Sequence, residues 1–357
     1  MSKMGVSPGV MPGDAHQVED VMKKIMLAII FISVIGGVIW GLNNPSHKEP
    51  EVIKRTRFLM DTYCTMKVPV YGEIWTREAV DKAINRAFER MEQIDRKFNI
   101  LNTDSPLYHF NNEGIPITDK EIVNVINIAQ EVSRESDGAF DITVEPLVKL
   151  WGFFSDNPHL PEKEEIQKTL KQIGWQHLII KDGKVTKDLL ELHIDLGGIA
   201  KGYGLSEAVK ALKDQGINSA LIEAGGQVHA FGYVDGKPWT VGIRNPRGNG
   251  YIAGLAATDE TDISTSGDYE RFFEKDGVRY HHILDPKTGY PAREIMSVSV
   301  ITADPTLADA WSTALFIMGP EKALKLAEQK TEIEIIVVDA KGEIKYSQRL
   351  PDKLMKK

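Results

Sequence analysis

From Ile25 to Leu42 the chain reads IMLAIIFISVIGGVIWGL, an unbroken uncharged stretch preceded by Lys23 and Lys24. A helix of this length lies near the lower end of what spans the hydrocarbon core of a bilayer. No small-residue cleavage site follows the stretch, and no cysteine is placed for lipid attachment, so it reads as an uncleaved signal anchor. Charge does not settle the orientation. Lys23 and Lys24 favour a cytoplasmic N-terminus, while Lys48, Lys54, Arg55 and Arg57 put comparable charge on the other side. The segment divides the chain into a disordered stub over 1–22, an anchor over 23–43, a linker over 44–52 with two prolines, a globular region over 53–350 and a tail over 351–357.

The globular region is long enough to bury a sizeable core. Its composition is ordinary, and a net charge of −8 with no basic cluster argues against nucleic acid as a partner. Cys64 is the only cysteine, which excludes an intramolecular disulfide and a cysteine-based zinc cluster. Phe58–Tyr71 alternates like a strand. Thr76–Asn99 predicts an amphipathic helix capped by Thr76, with Val80, Ile84, Ala87, Phe88, Met91 and Ile94 at helical spacing. Asp119–Ser136, Pro161–Ile173 and Ile199–Asp214 read as further helices. Residues 177–196 read as a hairpin turning at Asp182-Gly183, with LLELHIDL as a following strand. Short strands with Gly-rich turns fill 218–301, then a helical pair over Pro305–Met318 and Pro320–Gln329, and Glu332–Val338 as a closing strand. Runs of strands mixed with runs of helices predict an α+β fold of mixed or antiparallel sheets with flanking helices.

Four segments carry candidate chemistry, each with a plainer reading beside it. HIDLGGIAKGYG (193–204) is a Gly-Gly turn into a helix start, suited to an anion such as a pyrophosphate, with Lys201 on the first turn. An isolated Gly-Gly pair is more often simply a tight strand-to-helix connection, and the segment lacks Walker A spacing. SDGAFDITVEPLVKLWGFF (136–154) sets Asp137, Asp141 and Glu145 at spacing four among aromatics that could flank a planar ring, or is an irregular core segment with solvated acids. TADPTLADAWSTALFIMG (302–319) places Asp309 and Thr313 on one helical face, where a carboxylate and a hydroxyl could share a hard cation. A threonine bonded back into its own helix is the alternative. RYHHILDPKTGYPA combines His282 and Asp285 with a turn, and a histidine there is a base or a structural residue. Adjacent side chains on an extended segment point to opposite faces, so His281 and His282 do not share one site.

These segments occur in order with FLMDTYCTM, IEAGGQVHAFG, WTVGIRNPR and STSGDYERFF, and in that order the chain resembles the ApbE family of FAD:protein FMN transferases. The resemblance covers nearly all of 52–350 and implies an ApbE-like, T-fold-related domain. It implies FAD as substrate, Mg²⁺ as cofactor, and transfer of FMN to a threonine hydroxyl of a partner protein with release of AMP. Met60, Phe98, Ala139, Phe140, Asp141, Asp195, Lys201, Ile283 and Leu284 match positions that contact FAD. The carbonyl of Gly198 with Asp309 and Thr313 matches the metal positions, and His282, supported by Asp285, matches the group expected to move the proton. Asp61 stands where the family pattern has glycine. Expected partners are acceptor subunits of Rnf-type or sodium-translocating NADH:quinone oxidoreductase complexes, with the domain outside the cytoplasmic membrane. An FAD pyrophosphatase and a tethered flavin-binding protein without catalysis are the competing functions.

Overall fold

A hairpin closed by two left-handed residues starts the described fold. Met60 (φ 53°) and Asp61 (φ 58°) form the two-residue turn between β1 (Val52–Leu59) and β2 (Thr62–Pro69). Both central residues at positive φ match the right-handed twist of the flanking strands, and Asp tolerates that region better than most residues. The expected single strand over Phe58–Tyr71 is therefore two strands, and Met60 sits at the tip of a turn rather than within a ladder. The computed structural model describes residues 49–72, 75–155, 157–258, 260–350 and 354–355. The expected anchor at Ile25–Leu42 and the stub before it lie outside these residues. Among the described residues no helix is long and apolar enough to cross a membrane.

Among the described residues the main sheet has eight strands and is antiparallel throughout. It runs from β1 and β2 through β3 (Ala220–Ala224), β4 (Gln227–Phe231), β5 (Thr261–Gly267), β6 (Ile295–Thr302) and β7 (Glu334–Asp339) to β8 (Ile344–Tyr346). The predicted closing strand is β7, and β8 pairs outside it as the edge. Against one face pack α1 (Arg77–Phe98), α2 (Lys120–Glu135), α3 (Ala200–Asp214), α4 (Pro305–Met318) and α5 (Pro320–Gln329). Thr76 caps α1 by accepting from the Ala79 N–H, and the predicted stripe from Val80 to Ile94 is buried. On the other face Leu221, Ala230, Ile263, Ile301 and Ile336 meet the strands Lys237–Arg244 and Tyr251–Ala257. With both faces covered, β6 and β7 are buried along their whole length apart from Met296.

Three further local expectations change. Short helices form at Pro106–Glu113 and Glu145–Leu150, and the helix expected over Pro161–Ile173 is α-helical only over Lys163–Thr169. LLELHIDL is not a strand. Its backbone bonds go to a side chain and a loop: Asn111 accepts from Ile194 N at 2.8 Å and donates to Ile194 O at 2.9 Å, and Asp195 N donates to Ile142 O at 2.8 Å. A side-chain amide thus does the work of a neighbouring strand, which alternation in sequence does not distinguish. Asn111→Ala leaves a buried N–H and C=O unpaired and should cost about 2–4 kcal/mol, read as a lower denaturant midpoint at unchanged slope.

Candidate active site

Glycines on α3 let the site assemble. A Cβ on Gly202 would sit 2.1 Å from the Pro305 carbonyl oxygen, so only glycine allows α3 and α4 to cross this closely. That crossing brings Lys201 against Asp309, which is 3 % exposed. Lys201 Nζ donates to Asp309 Oδ1 at 3.0 Å, to Oδ2 at 3.3 Å and to the Gly197 carbonyl at 3.2 Å. Gly202 N donates to Asp309 Oδ2 at 3.0 Å. One turn along α4, Thr313 Oγ1 lies 3.7 Å from where a Cβ of Gly198 would stand, and the Phe140 ring lies 3.0 Å from the same point. Gly198, Lys201, Asp309, Thr313 and Phe140 thus come from three distant segments to one place.

These donors suit a small hard cation. An ammonium already rests on the Asp309 carboxylate and the Gly197 carbonyl, so the oxygens present will hold positive charge. Among the described residues no three His, Cys, Asp or Glu side chains are grouped to hold a metal ion. A cation here would therefore rely on one carboxylate and neutral oxygens, the sparse protein ligation typical of Mg²⁺ beside a phosphate.

His282 supplies the second element. Its backbone N donates to the Arg271 carbonyl at 3.0 Å, and its Nδ1 lies 3.3 Å from the same oxygen. A carbonyl only accepts, so Nδ1 carries the hydrogen and Nε2 keeps its lone pair. Burial, then the neighbouring His281 and Arg271, pushes the imidazole down to about 3, so it is neutral at ordinary pH. Phe153 meets it edge-on at 6.4 Å. His281 is buried and fully engaged, donating from Nε2 to Ala292 O at 2.6 Å and accepting from Ile283 N at 3.3 Å. The two histidines thus have separate partners.

Asp285 acts within its own turn: Oδ1 accepts from Lys287 N at 2.9 Å and Oδ2 from the Thr288 hydroxyl at 3.2 Å. The turn is pinned from beneath, where Trp151 Nε1 donates to Gly289 O at 2.9 Å. The aromatic run of 136–154 therefore supports the histidine loop as part of an apolar cluster with Leu147, Ile166 and Leu284.

The other expected FAD contacts divide by surroundings. Met60 lies over Gly204, its sulfur 2.7 Å from where a Cβ would be, and its N–H donates to Asp95 at 3.0 Å. Asp195 accepts from Gly197 N at 3.1 Å, and burial raises its carboxyl above the usual range. Ala139, Ile283 and Leu284 are buried. Asp141 turns inward, accepting from Thr143 N at 2.8 Å and Trp175 N at 3.0 Å, and Phe98 stacks on Tyr203 at 5.6 Å. Arg271 was not expected. It pairs with Asp61 at 2.5 Å, and with Lys201 it acts on the charge of both Asp195 and His282. A single arginine in a loop has no periodic signal; only its place in STSGDYERFF hinted at it.

The model of the ApbE family matches residues 60–337. The chain is 33% identical over 270 residues to the FAD:protein FMN transferase of Vibrio cholerae serotype O1, covering 73% of this chain and 80% of that one. It is 29% identical over 334 residues to the enzyme of that name from Haemophilus influenzae, covering 89% and 94%. Among solved structures it is similar to the ApbE protein of Thermotoga maritima, at a TM-score of 0.78 and 35% identity, over 86% of this chain and all (100%) of that one. The flavin transferase ApbE from Vibrio cholerae superposes with a TM-score of 0.76 at 29% identity, over 85% and 100%.

Proposed function

Because the chain belongs to the ApbE family and is a transferase, we propose that it moves FMN from FAD to a threonine hydroxyl of a partner flavoprotein, in a reaction that uses Mg²⁺. The observation that carries this reading is geometric: Nδ1 of His282 is tied to the Arg271 carbonyl, which turns Nε2 outward with its lone pair, in the electrostatic reach of two cations, Lys201 and Arg271. A base and positive charge together are what attack on a pyrophosphate by a weak nucleophile requires. The threonine proton passes to His282 Nε2 as the threonine oxygen bonds to the FMN phosphorus. The bond from that phosphorus to the bridging oxygen breaks, and AMP leaves with that oxygen. Lys201 and Arg271 offset the charge on the pyrophosphate oxygens, and the Arg271 carbonyl keeps the imidazole oriented. Asp309, Thr313 and the Gly198 carbonyl would hold Mg²⁺, which when bound neutralises phosphate charge as a Lewis acid.

The acceptor in this reading is a subunit of an Rnf-type or sodium-translocating NADH:quinone oxidoreductase. The apolar stretch Ile25–Leu42 supports a single-pass anchor with the catalytic domain on the extracytoplasmic side. Detergent-solubilised full chain, incubated with FAD, Mg²⁺ and an acceptor subunit, should yield a covalently fluorescent acceptor band. Absence of the band with an acceptor proven competent in another transferase reaction would overturn the assignment. In the same assay Asp309→Ala should lower the rate by roughly 10³-fold and abolish its dependence on Mg²⁺.

A further inference from the structure

We infer that Lys201 is an exchangeable counter-ion for Asp309, occupying the carboxylate until a divalent cation displaces it and thereby freeing its ammonium for the anionic substrate. The inference rests on the Mg²⁺-dependent reading above and adds an order of events to it. Asp309 is nearly fully buried, and a buried carboxylate without a partner is costly. Its partners are Lys201 Nζ, at 3.0 and 3.3 Å from the two oxygens, and the N–H of Gly202 at 3.0 Å. The same ammonium is 3.2 Å from the Gly197 carbonyl, so it spans the carboxylate and the Gly-Gly turn.

A divalent cation on Asp309 would need these carboxylate oxygens. Two cations at this separation repel strongly in a partly buried site, so the metal and the ammonium compete for one carboxylate. The lysine has somewhere to go. Its side chain is 28 % exposed, against 4 % for Asp309, so its head can swing outward on a flexible stem while the carboxylate stays in place. Gly202 N, fixed by the helix, remains on Oδ2 and keeps the carboxylate aimed during the exchange. Metal loading then supplies two positive groups in place of one: the ion itself and a released ammonium. By linkage, whatever draws Lys201 outward also favours the metal, so anionic substrate and cation bind cooperatively.

The test is Mg²⁺ affinity measured by isothermal titration calorimetry on the full chain without FAD. Lys201→Met and Lys201→Gln remove the competitor, so both should bind Mg²⁺ about tenfold more tightly than wild type, within the ordinary range of site coupling. Equal or weaker binding by the variants, with measurable binding to wild type, would overturn the exchange while leaving the Mg²⁺ reading intact. Loss of Mg²⁺ binding in wild type itself would overturn both. A wild-type measurement covers the case where the variants misfold. Limited acetylation of Lys201 by acetic anhydride, read by mass spectrometry, should rise several-fold on adding Mg²⁺ and stay flat with Ca²⁺-free, Mg²⁺-free buffer of equal ionic strength; no rise with Mg²⁺ overturns the exchange.

Discussion

Exchanging His282 for alanine is expected to leave FAD binding within a few-fold of wild type and to slow FMN transfer by about 10²–10⁴-fold, the usual worth of a positioned general base. The side chain is held by its hydrogen bond to the Arg271 carbonyl and meets Phe153 edge-on, and neither contact is to a residue expected to bind FAD. Turnover at the wild-type rate would show that the proton goes elsewhere. The pH dependence follows from the same group. With its folded value near 3, His282 stays neutral across the neutral range. The rate set by the free enzyme should therefore show no inflection near 6.5 from this residue. Stability has a definite sign as well. The unfolded chain takes a proton on this imidazole below about 6.5, while the folded chain resists it until about 3, so stability falls as pH drops through that window. His282→Gln should flatten part of that fall in urea titrations taken at successive pH values.

The largest structural effect is expected at Gly202. Gly202→Ala places a methyl 2.1 Å from the Pro305 carbonyl oxygen and 2.8 Å from Asp309 Cβ, and neither a backbone oxygen nor a helix start yields easily. Overpacking of this kind costs about 1–3 kcal/mol, and more where backbone must move. The helices would separate, and with them the Gly198 carbonyl and Asp309, two of the groups that would hold Mg²⁺ together. Calorimetry should find a lower unfolding temperature together with weaker Mg²⁺ binding, whereas Gly183→Ala, in open space at the Asp182-Gly183 turn, should leave Mg²⁺ binding unchanged. Equal effects of the two substitutions on the metal would refute the argument from close approach.

Much of the fold was legible because it rests on periodicity. The stripe of α1, the Asp182-Gly183 turn and the helical pair α4 and α5 are local patterns, and each formed where spacing placed it. LLELHIDL was illegible for a physical reason: alternation marks a half-buried extended segment, and here the hydrogen bonds came from Asn111, more than eighty residues away by its 83-residue separation from Ile194. Met60 and Asp61 misled in another way. Alternation ran through them, and only a turn with two positive φ values breaks it.

The site divides along the same line. Sequence alone determined which residues could do chemistry: a lysine at a helix start, an acid and a hydroxyl one turn apart, a histidine before an Asp-Pro turn. Those are statements about short spacings, which covalent geometry carries. Tertiary structure decided which of them meet. It placed Asp309 on Lys201, 108 residues away, through a glycine that lets two helices touch. It bound His281 into the core, left His282 a lone pair, and added Arg271, whose importance lies wholly in what it faces. Charge and proton chemistry depend on distances across the fold, and those distances are set by packing, which no local spacing records.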